Sequence, residues 1–363
     1  MTMALLVRDI RSRPVVVPMR RPLRTGAGAV TQAPLLLIDL EADDGITGRS
    51  YLFGYTPLTL KPLHELVRGL AGLVRGDAVA PVAVVQKLHA RAKLIGAHGL
   101  VGMALAGIEM ACWDALAIAR GVPLVVLLGG SIGRVAAYNS TGLGIMPPEE
   151  AAAEADQLLG EGFRAIKIRL GRPDARDDLA AVRAVRRSLP PDGLLMADFN
   201  QSLSVAEAIR RGRMLDDEGL YWIEEPVRAD DLAGSAAVAR ELTTPVQIGE
   251  NLRNVHQLRE ALDRRACDFV MPDVQQIGGV IGWMQAAALA HSAGVEMSSH
   301  LFPEFSAHLL GVTPTRHWLE YMDLANPVLQ EPFEVHDGEV IIPDRPGAGV
   351  TWDEAAVGHY VLE

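Results

Sequence analysis

From Arg134 onward, short β-type runs alternate strictly with helical stretches, and this alternation restricts the possible folds more than any other feature of the sequence. Most of the intervals between the runs have the apolar periodicity of amphipathic helices, as in residues 177–189 and 255–265. Strand–helix units of this size predict a closed parallel barrel rather than an open sheet. The eight β-type runs are residues 135–140, 165–170, 194–200, 221–226, 246–251, 269–274, 296–301 and 318–322.

The residues before and after this repeat follow a different pattern. Strand-like stretches at 14–19, 34–41 and 46–53, the last two joined by an Asp-Gly turn, precede helical patterns at 58–74, 82–93 and 101–120. Strands followed by helices predict a small α+β domain. The alternation stops at Leu324, and Asp337-Gly338 predicts a final hairpin. We therefore expect an α+β domain over residues 1–130, a barrel over 131–323, and a tail over 324–363 that returns to the first domain.

Composition excludes several classes of partner. The chain has 363 residues and a net charge of −11, and an excess of acid disfavours binding to a phosphate backbone, so nucleic acid is not expected. Cys112 and Cys267 stand alone and predict reduced core thiols. Residues 1–7 are too briefly apolar for a signal peptide. Apolar runs such as 122–128 are too short to span a membrane. We expect a cytoplasmic protein without a membrane partner.

Acidic residues stand near the C-terminal ends of four successive runs. Asp198, Glu224, Glu250 and Asp273 are separated by 26, 26 and 23 residues, about one strand–helix unit each. Strand ends meet around the C-terminal mouth of a closed barrel, where active sites are built. Converging carboxylates are costly to bury unless a cation holds them. A single acid at a strand end would fit a helix cap or a salt bridge, but the series predicts a magnesium site with oxygen ligands.

The sequence alone does not decide which side chain faces this mouth at every position. Glu225 adjoins Glu224 and would point to the opposite face by strand alternation, so either residue could face the metal. His300 ends the next run, and a histidine beside a buried Asp273 predicts a base and the carboxylate that orients it. Glu320 ends the last run.

Two basic residues are expected across the barrel from this pair. Lys167 and Arg169 are two positions apart in one run and so point to the same face. If that face is the barrel interior, both cations lie near the metal and can neutralise a bound carboxylate.

The sequence resembles the enolase superfamily, and specifically the mandelate racemase subgroup, from end to end. In the first domain the resemblance lies in Leu35-Leu-Leu-Ile-Asp-Leu and Tyr51-Leu-Phe-Gly-Tyr-Thr-Pro. In the barrel it is carried by Phe163-Arg-Ala-Ile-Lys, Asp198-Phe-Asn-Gln-Ser, Trp222-Ile-Glu-Glu-Pro, Met271-Pro-Asp, Ile277-Gly-Gly-Val, Ser298-Ser-His-Leu-Phe and His317-Trp-Leu-Glu. The resemblance implies an α/β fold, a (β/α)7β modified TIM barrel with an N-terminal α+β capping domain completed by the C-terminal tail.

The resemblance also implies roles for individual residues. Asp198, Glu224 and Glu250 would be ligands of Mg²⁺, and Asp273 with His300 a catalytic dyad acting on a metal-stabilised enediolate. Glu320 would donate a hydrogen bond to the substrate carboxylate, and Lys167 would contact it. Asn200, Ser140 and Tyr55 would lie around the substrate. The loop residues Leu23, Ala27 and Val30 occupy positions that line an aromatic-ring pocket in the family. Beside them, Arg20, Arg21 and Arg24 would bind a polyol or a second carboxylate, or remain solvated surface.

Arg169 departs from the family pattern, which commonly has Lys-X-Lys here with the second lysine as a base. Arginine keeps its proton, so it is a poor base but a good electrostatic partner. Racemisation needs a base on each face of the α-carbon, whereas dehydration can proceed with one. The leading hypothesis is therefore a Mg²⁺-dependent acid-sugar dehydratase acting on a 2-hydroxy carboxylate.

Three other functions were weighed against it. A racemase or epimerase of 2-hydroxy acids is the alternative, and a retired acid-binding protein is a weaker one because neither the acid series nor the dyad is broken. A nicotinamide oxidoreductase is disfavoured because no GxGxxG motif opens a strand–helix unit in the sequence. The resemblance also suggests a symmetric homo-oligomer, such as an octamer.

Overall fold

The computed structural model describes residues 4–26 and 28–362, which form a three-stranded sheet, a larger sheet and the helices packed on both. The strands are β1 (Val7–Thr25), β2 (Gly28–Ala42), β3 (Thr47–Phe53), β4 (Arg134–Asn139), β5 (Ala165–Arg169), β6 (Leu194–Asp198), β7 (Ile223–Glu224), β8 (Val246–Ile248), β9 (Phe269–Val270), β10 (Glu296–Met297), β11 (Leu319–Tyr321), β12 (Val335–His336) and β13 (Glu339–Ile341). The helices are α1 (Leu60–Val74), α2 (Pro81–Ala92), α3 (Gly99–Arg120), α4 (Leu124–Leu127), α5 (Pro148–Gly160), α6 (Ala175–Ser188), α7 (Val205–Leu215), α8 (Leu232–Glu241), α9 (Val255–Asp263), α10 (Val274–Ile277), α11 (Gly279–Ala293), α12 (Pro303–Leu310) and α13 (Glu354–Tyr360).

Strands β4 to β11 form the predicted barrel. Neighbours from β4 to β10 pair in parallel, and β11 pairs in parallel with β4. Between β10 and β11 the ring closes through two backbone bonds of Met297, one donated to Thr315 and one accepted from His317. One or two helices follow each of the first seven strands and none follows β11 before the tail, which confirms the (β/α)7β fold. The observed strands are shorter than the predicted runs, so Glu250, Asp273 and His300 lie just beyond strand ends.

The N-terminal domain is an antiparallel sheet, β1-β2-β3, with α1 and α3 packed against it and α2 packed on α3. Its β1–β2 hairpin is long enough to reach the barrel, where the carbonyl of Arg24 accepts a hydrogen bond of 2.7 Å from Ile145 N–H. Leu23 and Val30 pair across this hairpin. The prediction that these two residues lie in a loop is therefore wrong, because backbone pairing continues almost to the hairpin tip. Ala27 lies outside the described residues.

Helix α3 is an exception to the prediction that the apolar runs are too short to span a membrane. By length and composition it is apolar enough to do so, but 72% of its most apolar window is buried inside the protein. The burial comes from β3 and α1 of its own domain and from α10 and α11 of the barrel. Helix α3 is thus the core helix on which the two domains meet.

Glu109 of α3 joins the two domains by capping a barrel helix. Helix α11 begins at Gly279, and the preceding Gly278 has no side chain with which to cap it. The Glu109 carboxylate accepts hydrogen bonds from Val280 N–H at 2.8 Å and Ile281 N–H at 2.9 Å. It thereby satisfies two of the amide groups that a helix N-terminus leaves unpaired.

The glycines of the Ile277-Gly-Gly-Val motif make this contact possible. A Cβ atom on Gly279 would come within 2.1 Å of Glu109 Oε2, and Gly279 has a φ of +75°. Burial raises the pKa of Glu109 to about 7, even though the two amides and the Trp113 indole N–H favour its ionised form. The motif is therefore explained by domain docking and not by a ligand-binding loop.

The C-terminal tail contacts both domains. Its β12–β13 hairpin turns at Asp337-Gly338, where both residues have positive φ, and β13 pairs antiparallel with β4 of the barrel. Further along, Ala348 N–H donates to Asp114 of α3 and the Trp352 indole donates to Asp39 of β2. The tail thus ties the first domain to the outside of the barrel.

We expect Glu109→Ala to lower the free energy of unfolding by about 2–4 kcal/mol, because it strands two buried amide donors. Urea denaturation followed by circular dichroism measures this. Glu65→Ala on α1 removes an exposed glutamate of the same domain and serves as the control, with no change expected. Equal stability of the Glu109 variant and the wild type would show that the inter-domain cap contributes nothing.

Candidate active site

Lys167 occupies the centre of the barrel mouth. Its Nζ donates to Glu224 Oε1 and, at 2.8 Å, to Glu320 Oε1, and it lies 3.3 Å from Asp198 Oδ2. All four side chains are at most 1% exposed. Asp198 and Glu224 lie side by side in the register of β6 and β7, which explains why residues 26 positions apart meet at one point. The structure therefore brings four of the predicted site residues together.

Acidic groups outnumber the cation at this centre. Burial, together with the nearby carboxylates of Asp198 and Glu320, raises the pKa of Glu224 to about 8 in spite of the Lys167 ammonium. Burial disfavours the ammonium, but the same carboxylates outweigh it and raise the pKa of Lys167. The Glu320 carboxyl is buried too, yet Lys167 and His300 lower its pKa. Three buried carboxyl groups thus share one ammonium at this centre.

Glu224 and Glu225 take different positions. Glu224 faces the barrel interior, where its Oε2 accepts from Trp222 Nε1 at 3.0 Å. Glu225 follows the strand with a φ of +38°, and its Oε1 accepts from Gly249 N–H at 2.9 Å. Its Oε2 is buried without a partner. Glu224, which shares the Lys167 centre with Asp198, is therefore the better placed of the two acids to hold a cation there.

His300 and Asp273 form a close pair at the ends of β10 and β9. His300 Nδ1 lies 2.7 Å from Asp273 Oδ2, and the other Asp273 oxygen accepts from Gln275 N–H at 2.7 Å. Since an ionised carboxylate only accepts, Asp273 holds the ring with its proton on Nδ1 and turns Nε2 toward the mouth. There Nε2 lies 3.1 Å from Glu250 Oε2.

Charge around the imidazole opposes the effect of burial. Burial lowers the pKa of His300, but the carboxylates of Glu250, Glu320 and Asp273 outweigh it and raise this pKa well above its usual value. Burial raises the pKa of Asp273, and its hydrogen bond from His300 works in the opposite direction. The imidazole therefore has an acidic partner at each nitrogen, Asp273 at Nδ1 and Glu250 at Nε2.

Glu320 accepts hydrogen bonds in this arrangement. Besides Lys167, it receives Leu301 N–H at 2.9 Å and contacts the Ser140 hydroxyl. The resemblance implies a hydrogen-bond donor at this position. Both Glu320 oxygens accept here, Oε1 from Lys167 and Oε2 from Leu301 N–H, so a donor role requires a proton on this carboxyl group.

Arg169 lies beyond Lys167 on the same face of β5 and is 2% exposed. Its guanidinium donates to Ser140 Oγ at 2.8 Å and to the Gly142 carbonyl at 3.0 Å, while its Nε is buried without a partner. Ser140 thus links Arg169 to Glu320. The departure from the family's Lys-X-Lys pattern places a fixed cation, not a second base, at this side of the mouth.

The other predicted substrate residues take several different positions. Asn200 has a φ of +45° and donates both its backbone N–H and its side-chain amide to Asp198. Tyr55 comes from the capping domain, has a φ of +59° and is 42% exposed. Its hydroxyl oxygen lies 3.4 Å from Gln276 Nε2. Leu23 and Val30 are half-buried, and Arg24 is exposed beside them. Arg20 and Arg21 instead pair with Glu161 outside the barrel.

Sequence reasoning missed two partners of Glu224. Trp222 precedes it by two residues in the same run and so shares its face, which strand alternation alone would have indicated. Gln247 lies opposite Glu224 in the register of β8 and donates to it at 3.3 Å. Only the pairing of the strands identifies Gln247.

The carboxylates at the barrel mouth form a set of oxygen donors that suits a metal ion. Within residues 4–26 and 28–362, no three acids, histidines or cysteines are arranged in the geometry of a metal-binding site; the acids around Lys167 surround its ammonium instead. The chemistry of the set nevertheless fits a hard divalent cation, because it consists of carboxylate oxygens in excess over Lys167. Asn200 Oδ1, beside Asp198, is buried without a donor. Asp198, Glu224 and Glu250 are the residues that could hold such an ion.

Comparison with known proteins gives the same family over both domains. Residues 8–129 match the mandelate racemase/muconate lactonizing enzyme N-terminal domain, and residues 150–356 match the enolase C-terminal domain-like family. The 3,6-anhydro-alpha-L-galactonate cycloisomerase of Streptomyces coelicolor is 33% identical, over 92% of this chain and 93% of that protein. The L-talarate/galactarate dehydratase of Salmonella typhimurium is 30% identical, over 90% of this chain and 82% of that protein.

A solved structure extends this result to the fold. An enolase from Bradyrhizobium, complexed with magnesium and mandelic acid, is 44% identical and superposes over the full length of both chains with a TM-score of 0.94. These matches confirm the resemblance seen in the sequence motifs. The chain belongs to the mandelate racemase/muconate lactonizing enzyme family of the enolase superfamily.

Proposed function

We propose that the protein is a Mg²⁺-dependent enzyme that removes the α-proton of a 2-hydroxy carboxylate and then eliminates water, an acid-sugar dehydratase. One observation carries this proposal. The imidazole of His300 faces the mouth from the side of β9 and β10. Across the ring, β5 carries Lys167, whose ammonium three carboxylates hold, and Arg169, whose guanidinium is a poor base. One base is sufficient for dehydration and insufficient for two-sided racemisation.

Asp198, Glu224 and Glu250 are the proposed ligands of Mg²⁺. When bound, the ion supplies positive charge that offsets its ligands and makes the α-proton of a bound carboxylate more acidic. Lys167 and Arg169 add fixed positive charge on the other side of the mouth. Both side chains are buried, so their charge would act strongly on the oxygens of a substrate carboxylate as these gain negative charge.

His300 is the proposed proton carrier for both steps. A cation held by Glu250 would offset the negative charge that raises the pKa of His300 and would favour the neutral ring. With Nδ1–H donated to Asp273, Nε2 of the neutral ring accepts the α-proton as the C–H bond breaks, and the electron pair moves toward the carboxylate. The electron pair then returns to form the C=C bond as the β-hydroxyl leaves. The proton on Nε2 joins the departing hydroxide as water, and the enol product becomes a 2-keto acid. The ring is neutral again at the end.

A racemase or epimerase of 2-hydroxy acids is the second candidate. The mandelic acid in the Bradyrhizobium enzyme and the apolar side chains of Leu23 and Val30 at the hairpin tip favour it. It requires Arg169 to accept a proton, which its chemistry opposes. The intact dyad and acid series disfavour a retired acid-binding protein.

The setting of the enzyme is also a proposal. Relatives of this family are metabolic enzymes of small acids, so a cytoplasmic location and a small-molecule acid as the only substrate fit this chain. A symmetric homo-oligomer, such as an octamer, rests on the family resemblance alone.

We expect Asp198→Asn, Glu224→Gln and Glu250→Gln each to weaken metal binding by about 100-fold or more and to abolish turnover, because each removes an anionic oxygen ligand. Electron paramagnetic resonance with Mn²⁺ measures binding independently of activity. Glu225→Gln is the matched comparison and should bind Mn²⁺ far more tightly than Glu224→Gln. Full activity of the wild type after EDTA treatment would contradict the metal assignment.

We expect His300→Asn to lower α-proton exchange by about 10²–10⁴-fold, because the variant loses the group that accepts the proton. Proton NMR in deuterated water follows the exchange, and a screen of 2-hydroxy and sugar acids with Mg²⁺ detects 2-keto products. Asp273→Asn should lose a comparable or smaller factor through the wrong ring tautomer. Unchanged exchange in the His300 variant would move the base to the side of Lys167 and Arg169.

A further inference from the structure

A polar groove opens on the rim of the barrel mouth, outside the centre described above. It has a volume of about 520 Å³ and lies between the loops that follow β6, β7 and β8. Gln201, Asn251, Arg253 and Gln257 line it, together with Arg228 and Asp230. The proposed mechanism gives none of these six side chains a role, and of the six only Gln201 belongs to a family motif, Asp198-Phe-Asn-Gln-Ser.

Arg253 is the charged group in this groove without an acidic partner. Arg228 donates to both oxygens of Asp230, at 2.9 Å and 2.6 Å, so that pair is neutral overall. The described residues offer no ion pair to Arg253, whose guanidinium makes one long contact of 3.4 Å with Asn251 Oδ1. The groove therefore carries one net positive charge.

The two glutamines also present hydrogen-bond donors. Gln201 Oε1 accepts from Ala229 N–H at 2.9 Å, and Gln257 Oε1 accepts from Arg253 N–H at 2.7 Å. With each carbonyl oxygen engaged by the backbone, the NH₂ group is the end that remains for a ligand. A guanidinium and two amides fit a ligand rich in oxygen acceptors.

The groove borders two of the proposed metal ligands, Asp198 and Glu250. Asn251 lines it and also donates to Glu250 Oε1 at 2.9 Å. Gln201 follows Asn200, whose side chain donates to Asp198. The loops after β6 and β8 therefore carry both a proposed metal ligand and side chains of the groove.

We infer that this groove is the subsite for the far end of the substrate, and that it selects a hydroxylated chain ending in a second carboxylate. The guanidinium of Arg253 would bind the distal carboxylate, and Gln201 and Gln257 would bind chain hydroxyls. This inference rests on the proposed function and narrows its substrate class to sugar diacids. An aryl group such as that of mandelate would leave these donors without partners.

Arg253→Ala tests the inference with two substrates of equal length. Galactarate and galactonate have the same six-carbon chain, with and without the second carboxylate. We expect the variant to lower kcat/KM for galactarate relative to galactonate by about 10–100-fold, mainly through KM. Arg259→Ala removes an exposed arginine from the neighbouring turn of α9 and is the matched control. Its ratio for the two acids should equal that of the wild type.

Three outcomes separate this inference from the proposed function. If the wild type exchanges the α-proton of some 2-hydroxy acid but Arg253→Ala leaves the diacid preference unchanged, the subsite is wrong and the function stands. A wild-type preference for mandelate over both sugar acids would also overturn the subsite. If no acid undergoes exchange in the wild type, the proposed function itself fails.

Discussion

The contact of Lys167 with three buried carboxylates is the constraint on which the site depends. Asp198, Glu224 and Glu320 come from three different strands, and they stay close together only because an ammonium group lies between them. Burying such acids without a cation would be prohibitively costly. The barrel supports this arrangement because neighbouring strands bring their last residues to the same level. The excess of acid over lysine then makes the centre suitable for a divalent cation.

The chemistry of the site follows from how its two sides differ. On one side, Asp273 fixes the tautomer of His300 and leaves one nitrogen for a proton. On the other side, Arg169 is held by Ser140 and Gly142 and contributes charge without exchanging protons. The hairpin of the capping domain reaches the barrel at Ile145, and Glu109 holds that domain in place by capping α11. The proposed reaction therefore depends on a rigid frame as well as on reactive groups.

Much of this arrangement could be predicted from the sequence because parallel strands of a barrel end at one face. The spacing of Asp198, Glu224 and Glu250 therefore carried geometric information, and so did the alternation of Lys167 with Arg169. The partners that depend on register or distant contacts could not be predicted. Gln247 is paired with Glu224 only by the alignment of β7 with β8, and Glu109 meets α11 only through domain docking. The choice between Glu224 and Glu225 likewise needed the positive φ of Glu225.

The central claim is that proton transfer occurs on one face of the α-carbon. It is tested most directly by incubating each enantiomer of a 2-hydroxy acid separately with the Mg²⁺-loaded protein in deuterated water and following loss of the α-proton by NMR. We expect one enantiomer to exchange in the wild type, and Arg169→Lys to add exchange of the other, because lysine can be tuned to act as a base. Exchange of both enantiomers by the wild type at comparable rates, with racemisation, would contradict the account.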